Sequence, residues 1–140
     1  MSAPPFAYFG GKTLLAPKVV RLLPDHEHYV EPFAGSLAVL LAKPPTGMET
    51  VNDLDGDLMT FWRVLRDRPG ELTRSCALTP HARAEHQGGY DRDGCDDLET
   101  ARRVWVMLTQ GRGGEVLWSN RPLSQRQSDL FADSLEVGAR

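Results

Sequence analysis

The chain has 140 residues, which is enough for one domain with a single hydrophobic core. Its composition, 41% hydrophobic and 25% charged, is that of an ordinary globular protein. A formal net charge of −3 argues against a stand-alone DNA-binding protein, which normally carries a basic excess. Two cysteines are too few for a disulfide framework. Neither a signal peptide nor an apolar run of ~20 residues is recognisable, so we expect a cytoplasmic protein.

Hydrophobic periodicity predicts alternating helices and strands. Residues 79–97 are polar and rich in His, Gly and Asp, which predicts a loop, and the polar segment from Ser119 onward predicts a poorly ordered tail. The order strand, helix, strand, helix is typical of a βαβ unit, so the predicted fold class is α/β. After a proline-rich leader the predicted elements are helix Leu15–Leu23, strand His28–Val30, helix Leu37–Ala42, strand Glu49–Asn52, helix Asp55–Asp67 and helix Leu98–Leu108.

Three of these helices have an apolar face at the helical spacing. The first tolerates Pro17 in its first turn. The predicted buried faces are Leu15, Val19, Leu22 and Leu23 in the first helix, Leu58, Phe61, Trp62 and Leu65 in the helix 55–67, and Leu98, Ala101, Trp105 and Leu108 in the last.

The first strand ends in an acid, a proline and a glycine, Glu31 to Gly35, directly before a helix. Open α/β sheets bind nucleotide-like ligands where a strand runs through such a turn into a helix. The second strand leads to Asp53, 22 residues after Glu31, close to the ~20-residue interval at which an acid meets ribose hydroxyls. The alternative for Asp53 is a helix N-cap.

Four segments carry a resemblance to a known family. Residues 8–12 (Tyr-Phe-Gly-Gly-Lys), 31–35 (Glu-Pro-Phe-Ala-Gly), 52–54 (Asn-Asp-Leu) and 108–111 (Leu-Thr-Gln-Gly) resemble, in order and spacing, the Dam-type DNA adenine methyltransferases. The resemblance implies a Rossmann-like fold, S-adenosyl-L-methionine as cofactor, and methylation of the exocyclic amino group of adenine in DNA. It implies that Asp53 binds the cofactor ribose, that Glu31 lies beside its methionine end, and that Tyr8 and Lys12 line the site. The full set of implied cofactor-binding residues is Tyr8, Gly10, Gly11, Lys12, Glu31, Pro32, Phe33, Gly35 and Asp53.

The sequence departs from the family pattern at two points. Leu37 stands where many relatives have the last glycine of the turn, which we expect to tighten the loop around the cofactor. The chain also has no Asp-Pro-Pro-Tyr tetrapeptide, on which the family's chemistry depends, so we assign no catalytic residue. We therefore expect a methyltransferase lacking its middle portion, with a join near Arg112–Gly114 and an incomplete sheet. Residues 1–114 would form the cofactor-binding domain, and 115–140 a C-terminal segment with a disordered tail.

Such a chain is expected to be inactive alone, and two other functions stay open. It could be one half of a split methyltransferase, with a complementing chain or self-association completing the sheet, or a non-catalytic binder of cofactor or of the bacterial sliding clamp. The clamp hypothesis rests on residues 127–131, which resemble a clamp-binding pentapeptide in bacteria or their viruses through Gln127, Leu130 and Phe131.

Two further groups of residues give weaker indications of a binding site. Cys76, His81, His86 and Cys95 fit no standard zinc spacing, so no metal site is predicted. The arginines at 102, 103, 112, 121 and 126 could contact phosphate, but their acidic neighbours favour an ordinary solvated surface.

Overall fold

The structure is a computed structural model, and it describes residues 2–111. Within that range no helix is both long enough and apolar enough to cross a bilayer. The elements in chain order are α1 Ala16–Leu22, β1 His28–Glu31, α2 Ala38–Ala42, β2 Met48–Val51, α3 Gly56–Asp67, α4 Pro69–Leu78, α5 Arg83–Gly88 and α6 Asp97–Gln110.

The two strands form a parallel sheet in which His28 is paired with Met48 and Glu31 with Val51. Helix α2 makes the crossover between them, as the βαβ prediction requires. Helices combined with a short parallel sheet are an α/β arrangement, so the predicted fold class agrees at that level. One face of the sheet is exposed, and it consists of the side chains of His28, Val30, Met48 and Thr50.

The main core lies among α3, α4, α6 and the segment that precedes α2. Phe61 and Trp62 of α3 are buried against each other and against Phe6, with ring centroids 5.2 to 5.5 Å apart. Such edge and tilted ring contacts add to the free energy of burial. The predicted faces of α3 and α6 are confirmed, because Leu58 and Ala101 are buried and Leu65 and Leu98 pack on the same cluster.

The predicted face of the first helix is half right, since Val19 and Leu23 pack on a buried cluster but Leu15 and Leu22 do not. Leu15 and Leu22 are 57% and 76% exposed, and the buried face instead contains Ala16, with Val19 and Leu23 packed beside it. Ala16 lets α1 approach Ala38 and Ala42 of α2 closely, a contact between small residues that leucine periodicity does not reveal. Pro17 lies in the first turn, as predicted.

Two helices were not predicted. Helix α4 begins at Pro69, where a proline suits the first turn, and buries Leu72. Helix α5 occupies part of the predicted loop 79–97; it buries no residue of its own, which explains why apolar periodicity did not indicate it. Both pack on α6.

Candidate functional site

The carboxyl ends of β1 and β2 open into a pocket of about 150 Å³. Because parallel strands end at one edge of their sheet, the segments that follow Glu31 and Val51 meet there, and the loop before α1 closes one side. The pocket is lined by Tyr8, Phe9, Gly10, Gly11, Lys12, Glu31, Phe33, Ala34, Gly35, Ser36, Ala38 and Asp53. Eight of the nine residues predicted to bind a cofactor are in this set. The ninth, Pro32, is exposed and does not line the pocket.

The loop after β1 is fastened to the end of β2 by consecutive backbone amides. The Ala34 N–H donates to the Asn52 carbonyl at 2.8 Å, and the Gly35 N–H donates to Asp53 Oδ2 at 2.9 Å. The indole Nε1 of Trp62 donates to the Gly35 carbonyl at 3.0 Å, so both backbone polar groups of Gly35 are satisfied. The pocket floor therefore has a fixed shape.

Gly35 requires glycine for two reasons. Its φ is +48°, in the left-handed region, and a Cβ at this position would lie 3.1 Å from Cδ1 of the Tyr8 ring. The ring of Tyr8 thus packs directly on the glycine backbone. Burial, followed by the charges of Asp53 and Asp55, raises the pKa of the Tyr8 hydroxyl, which keeps it neutral.

The N-cap of α3, which the sequence left open as an alternative role for Asp53, is Asp55. The Asp55 side chain caps α3 by accepting from the amides of Asp57 and Leu58 at 3.0 and 3.1 Å. Asp53 is not the cap; it lines the pocket, and its Oδ1 accepts from the Asp55 amide at 3.1 Å. The N-cap alternative for Asp53 is therefore wrong.

Glu31 also lines the pocket and is half-buried. Its Oε2 accepts from the hydroxyl of Tyr29 at 3.1 Å and from the amide of Leu40 at 3.2 Å. Burial raises the pKa of Glu31, and the two hydrogen bonds and the charge of Lys12 oppose that shift. Lys12 is exposed, so the pocket combines two acids held by hydrogen bonds, Glu31 and Asp53, with one exposed cation.

The amino-terminal loop is held by its own tight turn. The Gly11 amide donates to the Tyr8 carbonyl at 2.8 Å, and a Cβ on Gly11 would lie 2.8 Å from that same oxygen. The Lys12 carbonyl accepts from the amides of Leu15 and Ala16, so the turn leads directly into α1. Gly10 has φ +72°, which only glycine adopts easily.

Leu37 was expected to tighten the loop around the cofactor, but its side chain does not line the pocket. Its side chain is 5% exposed and belongs to the main core, and it is not among the described residues that line the pocket. Its backbone, however, has φ +52° and ψ +32°, which is the left-handed conformation that glycine adopts at no cost. Leu37 therefore combines a backbone conformation typical of glycine with a side chain that packs in the core.

The sequence did not single out five residues that help to build the site. Four of them line the pocket within or next to the quoted motifs, so their closeness in the chain to Tyr8 and Gly35 was an available signal; they are Phe9, Ala34, Ser36 and Ala38. Trp62 lies 27 residues from the carbonyl it holds, and nothing in its helical pattern distinguishes it from an ordinary core residue.

Arg102 and Arg103 are neither phosphate ligands nor a solvated surface. Arg102 forms a two-pronged pair with Glu99 at 2.6 and 2.7 Å and also reaches Glu85 at 2.8 Å, while Arg103 donates to Glu99 at 2.7 Å. The contact of Arg102 with Glu85 joins α6 to α5, whereas the pairs with Glu99 lie within α6. Cys76 and Cys95 are free thiols, and residues 2–111 contain no group of side chains arranged to hold a metal.

Several predictions fall outside the described residues. These are the join near Arg112–Gly114, the C-terminal segment 115–140, the arginines at 112, 121 and 126, and the clamp-binding residues Gln127, Leu130 and Phe131.

Comparison with known proteins agrees with the resemblance found in the sequence. No curated protein matches the chain. The family described as D12 class N6 adenine-specific DNA methyltransferase matches residues 8–98, which is well over half of the chain and spans the pocket from Tyr8 to Asp53. The chain belongs to the D12 class N6 adenine-specific DNA methyltransferase family.

Proposed function

We propose that the pocket binds S-adenosyl-L-methionine for N6 methylation of adenine in DNA. The observation that carries this proposal is the convergence of residues 8–12, 31–35 and 53 on one pocket at the carboxyl edge of a parallel sheet. That edge is where α/β proteins bind nucleotide-like ligands. When bound, the cofactor would supply a methyl group activated by the adjacent sulfonium.

Asp53 is the proposed ribose ligand. A carboxylate has about four acceptor positions on its two oxygens. Among residues 2–111, Oδ2 accepts from the Gly35 amide and Oδ1 from the Asp55 amide. One further acceptor position on each oxygen is therefore left for the two ribose hydroxyls. The backbone hydrogen bonds fix the carboxylate before the ligand arrives, which lowers the entropy cost of binding.

Glu31 and Lys12 are the proposed partners of the methionine end. Both hydrogen bonds described for the Glu31 carboxylate end on Oε2, so Oε1 can accept from the ligand ammonium group. The exposed ammonium of Lys12 can meet the ligand carboxylate. The ammonium group of the ligand would then lie beside the Glu31 carboxylate, and its carboxylate beside the Lys12 ammonium group.

Binding is expected to be weak. Ligand pockets typically enclose about 300–1,000 Å³, whereas this one encloses about 150 Å³. The aromatic rings of Phe9 and Phe33 are 102% and 71% exposed at its rim, where further walls would be needed to cover the ligand.

We propose that these 140 residues do not transfer the methyl group on their own. The residues assigned here hold and orient the cofactor, but the sequence has no Asp-Pro-Pro-Tyr to hold a flipped adenine by its amino group. Calorimetric titration with S-adenosyl-L-methionine and with its demethylated product tests binding, with ATP as the control ligand. A tritium-transfer assay on adenine-containing DNA tests catalysis. Incorporation of tritium into the DNA above the level without protein would overturn the proposal that these residues do not transfer the methyl group.

One observation favours a split enzyme over an isolated binder. The sheet face formed by His28, Val30, Met48 and Thr50 is exposed, whereas parallel sheets are normally covered on both faces. A complementing chain would cover this face, and any strand that it paired with β1 or β2 would extend the sheet. Light scattering at several concentrations tests self-association, and a monodisperse monomer that melts cooperatively would count against an incomplete sheet.

A further inference from the structure

A groove runs between the outer edge of β2 and helix α3, away from the cofactor pocket. It encloses about 310 Å³ and shares no lining residue with the pocket. Residues 49–51 of β2 form its strand side, and α3 forms its helix side through Met59, Trp62, Arg63 and Arg66. We call it the β2–α3 groove.

The strand side presents unpaired backbone groups. The amides of Met48 and Asn52 donate to Glu27 and Glu31 and so point toward β1. Because backbone groups alternate in direction along a strand, those of Glu49 and Val51 point away from β1. The sheet formed by residues 2–111 has two strands, so this edge has no strand partner within the described part of the chain. An edge of this kind accepts an added strand.

The helix side is basic and partly apolar. The side chains of Arg63 and Arg66 are 51% and 73% exposed, and their carboxylate partners, Asp97 and Asp67, are 61% and 49% exposed. Exposed pairs of this kind contribute little free energy, so a carboxylate on a ligand can replace Asp97 or Asp67 as the partner of the arginine. Trp62 and the half-buried Met59 provide apolar surface between the arginines and the strand.

From this arrangement we infer that the β2–α3 groove binds an extended acidic peptide, supplied by another polypeptide, as an added strand. Backbone hydrogen bonds to Glu49 and Val51 give the peptide its position. The peptide side chains that face α3 are every second residue; apolar side chains among them pack over Met59 and Trp62, and carboxylates among them pair with Arg63 and Arg66. The occupant is therefore a strand whose α3-facing positions, every second residue, hold both apolar and acidic side chains. The proposal is independent of cofactor binding.

The test uses fluorescence polarisation with the full chain and a labelled heptapeptide, Thr-Val-Thr-Asp-Thr-Asp-Thr, in which the valine and both aspartates lie on one face of the strand. We expect saturable binding that the double reversal Arg63→Glu, Arg66→Glu weakens by about tenfold or more. The matched control is Arg74→Glu, Arg83→Glu, which makes the same change in net charge on exposed positions of α4 and α5. It should leave the affinity within about twofold.

Two further probes distinguish binding as an added strand from binding through charge alone. A peptide N-methylated at alternate residues keeps its carboxylates but loses the donors of an added strand, and it should not bind. The same peptide with lysine in place of each aspartate should not bind either. Equal binding of the N-methylated peptide, equal binding to the Arg63, Arg66 variant, or displacement of the probe by a single-stranded oligonucleotide at the same concentration would overturn the inference.

Discussion

The Asp53 carboxylate accepts a hydrogen bond from the Gly35 amide at 2.9 Å and thereby ties the loop after β1 to the loop after β2. The residue proposed to bind the ribose is thus also the residue that holds the glycine turn in place. Ligand binding and loop position are coupled through one side chain. A substitution at Asp53 must be designed to separate the two effects.

The first prediction concerns Asp53 and its neighbour Asp55. Asp53→Ala should weaken S-adenosyl-L-methionine binding by about 1–3 kcal/mol, because it removes acceptors for ligand and loop together. Asp53→Asn keeps one neutral acceptor oxygen and should weaken binding less. Asp55→Ala is the control, since it removes the α3 cap and should cost about 1 kcal/mol of folding free energy without changing affinity. Calorimetry and urea unfolding of the three variants provide the two measurements.

If Asp53→Ala and the wild type gave equal heats of binding, Asp53 would not be part of the cofactor site. If Asp55→Ala weakened binding as much as Asp53→Ala, the effect would arise from loosening of the loop and not from a ribose contact.

The second prediction concerns the contact of Tyr8 with Gly35. Gly35→Ala places a methyl group 3.1 Å from the ring at φ +48°, so we expect a loss of about 2 kcal/mol in stability and a further loss of cofactor affinity. Adding Tyr8→Ala should restore the stability lost through the contact with the ring but not the stability lost through backbone strain. A double-mutant cycle in urea measures the coupling, and additive effects would show that the ring and the glycine do not interact.

The sequence was sufficient for the pocket because its residues lie in short local motifs. Tyr8 to Lys12 and Glu31 to Gly35 each form a single turn whose glycines and neighbours are adjacent in the chain, and Asp53 follows a recognisable strand. The contacts that support the pocket are long-range. The bond from Trp62 to the Gly35 carbonyl spans 27 residues, and local pattern contains no information about it.

The errors along the rest of the chain have the same physical origin. Leucine periodicity predicted that Leu15 and Leu22 are buried, but small residues determine how closely α1 and α2 approach, and Ala16 is the buried position. Helix α5 is stabilised mainly by contacts to α6, including the pair of Glu85 with Arg102, and tertiary contacts of this kind override a weak local propensity.

The third prediction uses the left-handed backbone of Leu37. Both Leu37→Ala and Leu37→Gly remove a core side chain, and each should cost about 2–5 kcal/mol. Glycine should nevertheless be about 1 kcal/mol less destabilising than alanine, because it adopts φ +52° without strain. At Leu58, which is buried inside α3, the order should reverse, since glycine is about 1 kcal/mol worse than alanine within a helix. Urea midpoints in sucrose, which favours the folded state, give all four values. The same order at both positions would contradict a left-handed Leu37.

The last prediction concerns acid stability and Glu99. Its hydrogen bonds from Arg102 hold the pKa of the Glu99 carboxyl at about 2, below its ordinary value of 4.5. A carboxyl whose pKa is lower in the folded state stabilises the protein above its unfolded pKa and loses that contribution as the pH falls. The stabilisation from Glu99 should therefore be complete above about pH 5 and lost between pH 4.5 and pH 2. Because the side chain is 33% exposed, solvent screening limits the expected contribution to about 1 kcal/mol.

Glu99→Gln removes this carboxylate and isolates its effect. The variant should be less stable than the wild type at pH 7, and the difference should disappear as the pH approaches 2, as followed by urea unfolding across the range. Glu71→Gln is the control, because Glu71 also pairs with an arginine three residues away, Arg68, but both side chains are largely exposed. That substitution should change stability little at any pH. A difference for Glu99→Gln that stayed constant from pH 7 to pH 2 would mean that the glutamate acts through packing between α5 and α6 and not through its charge.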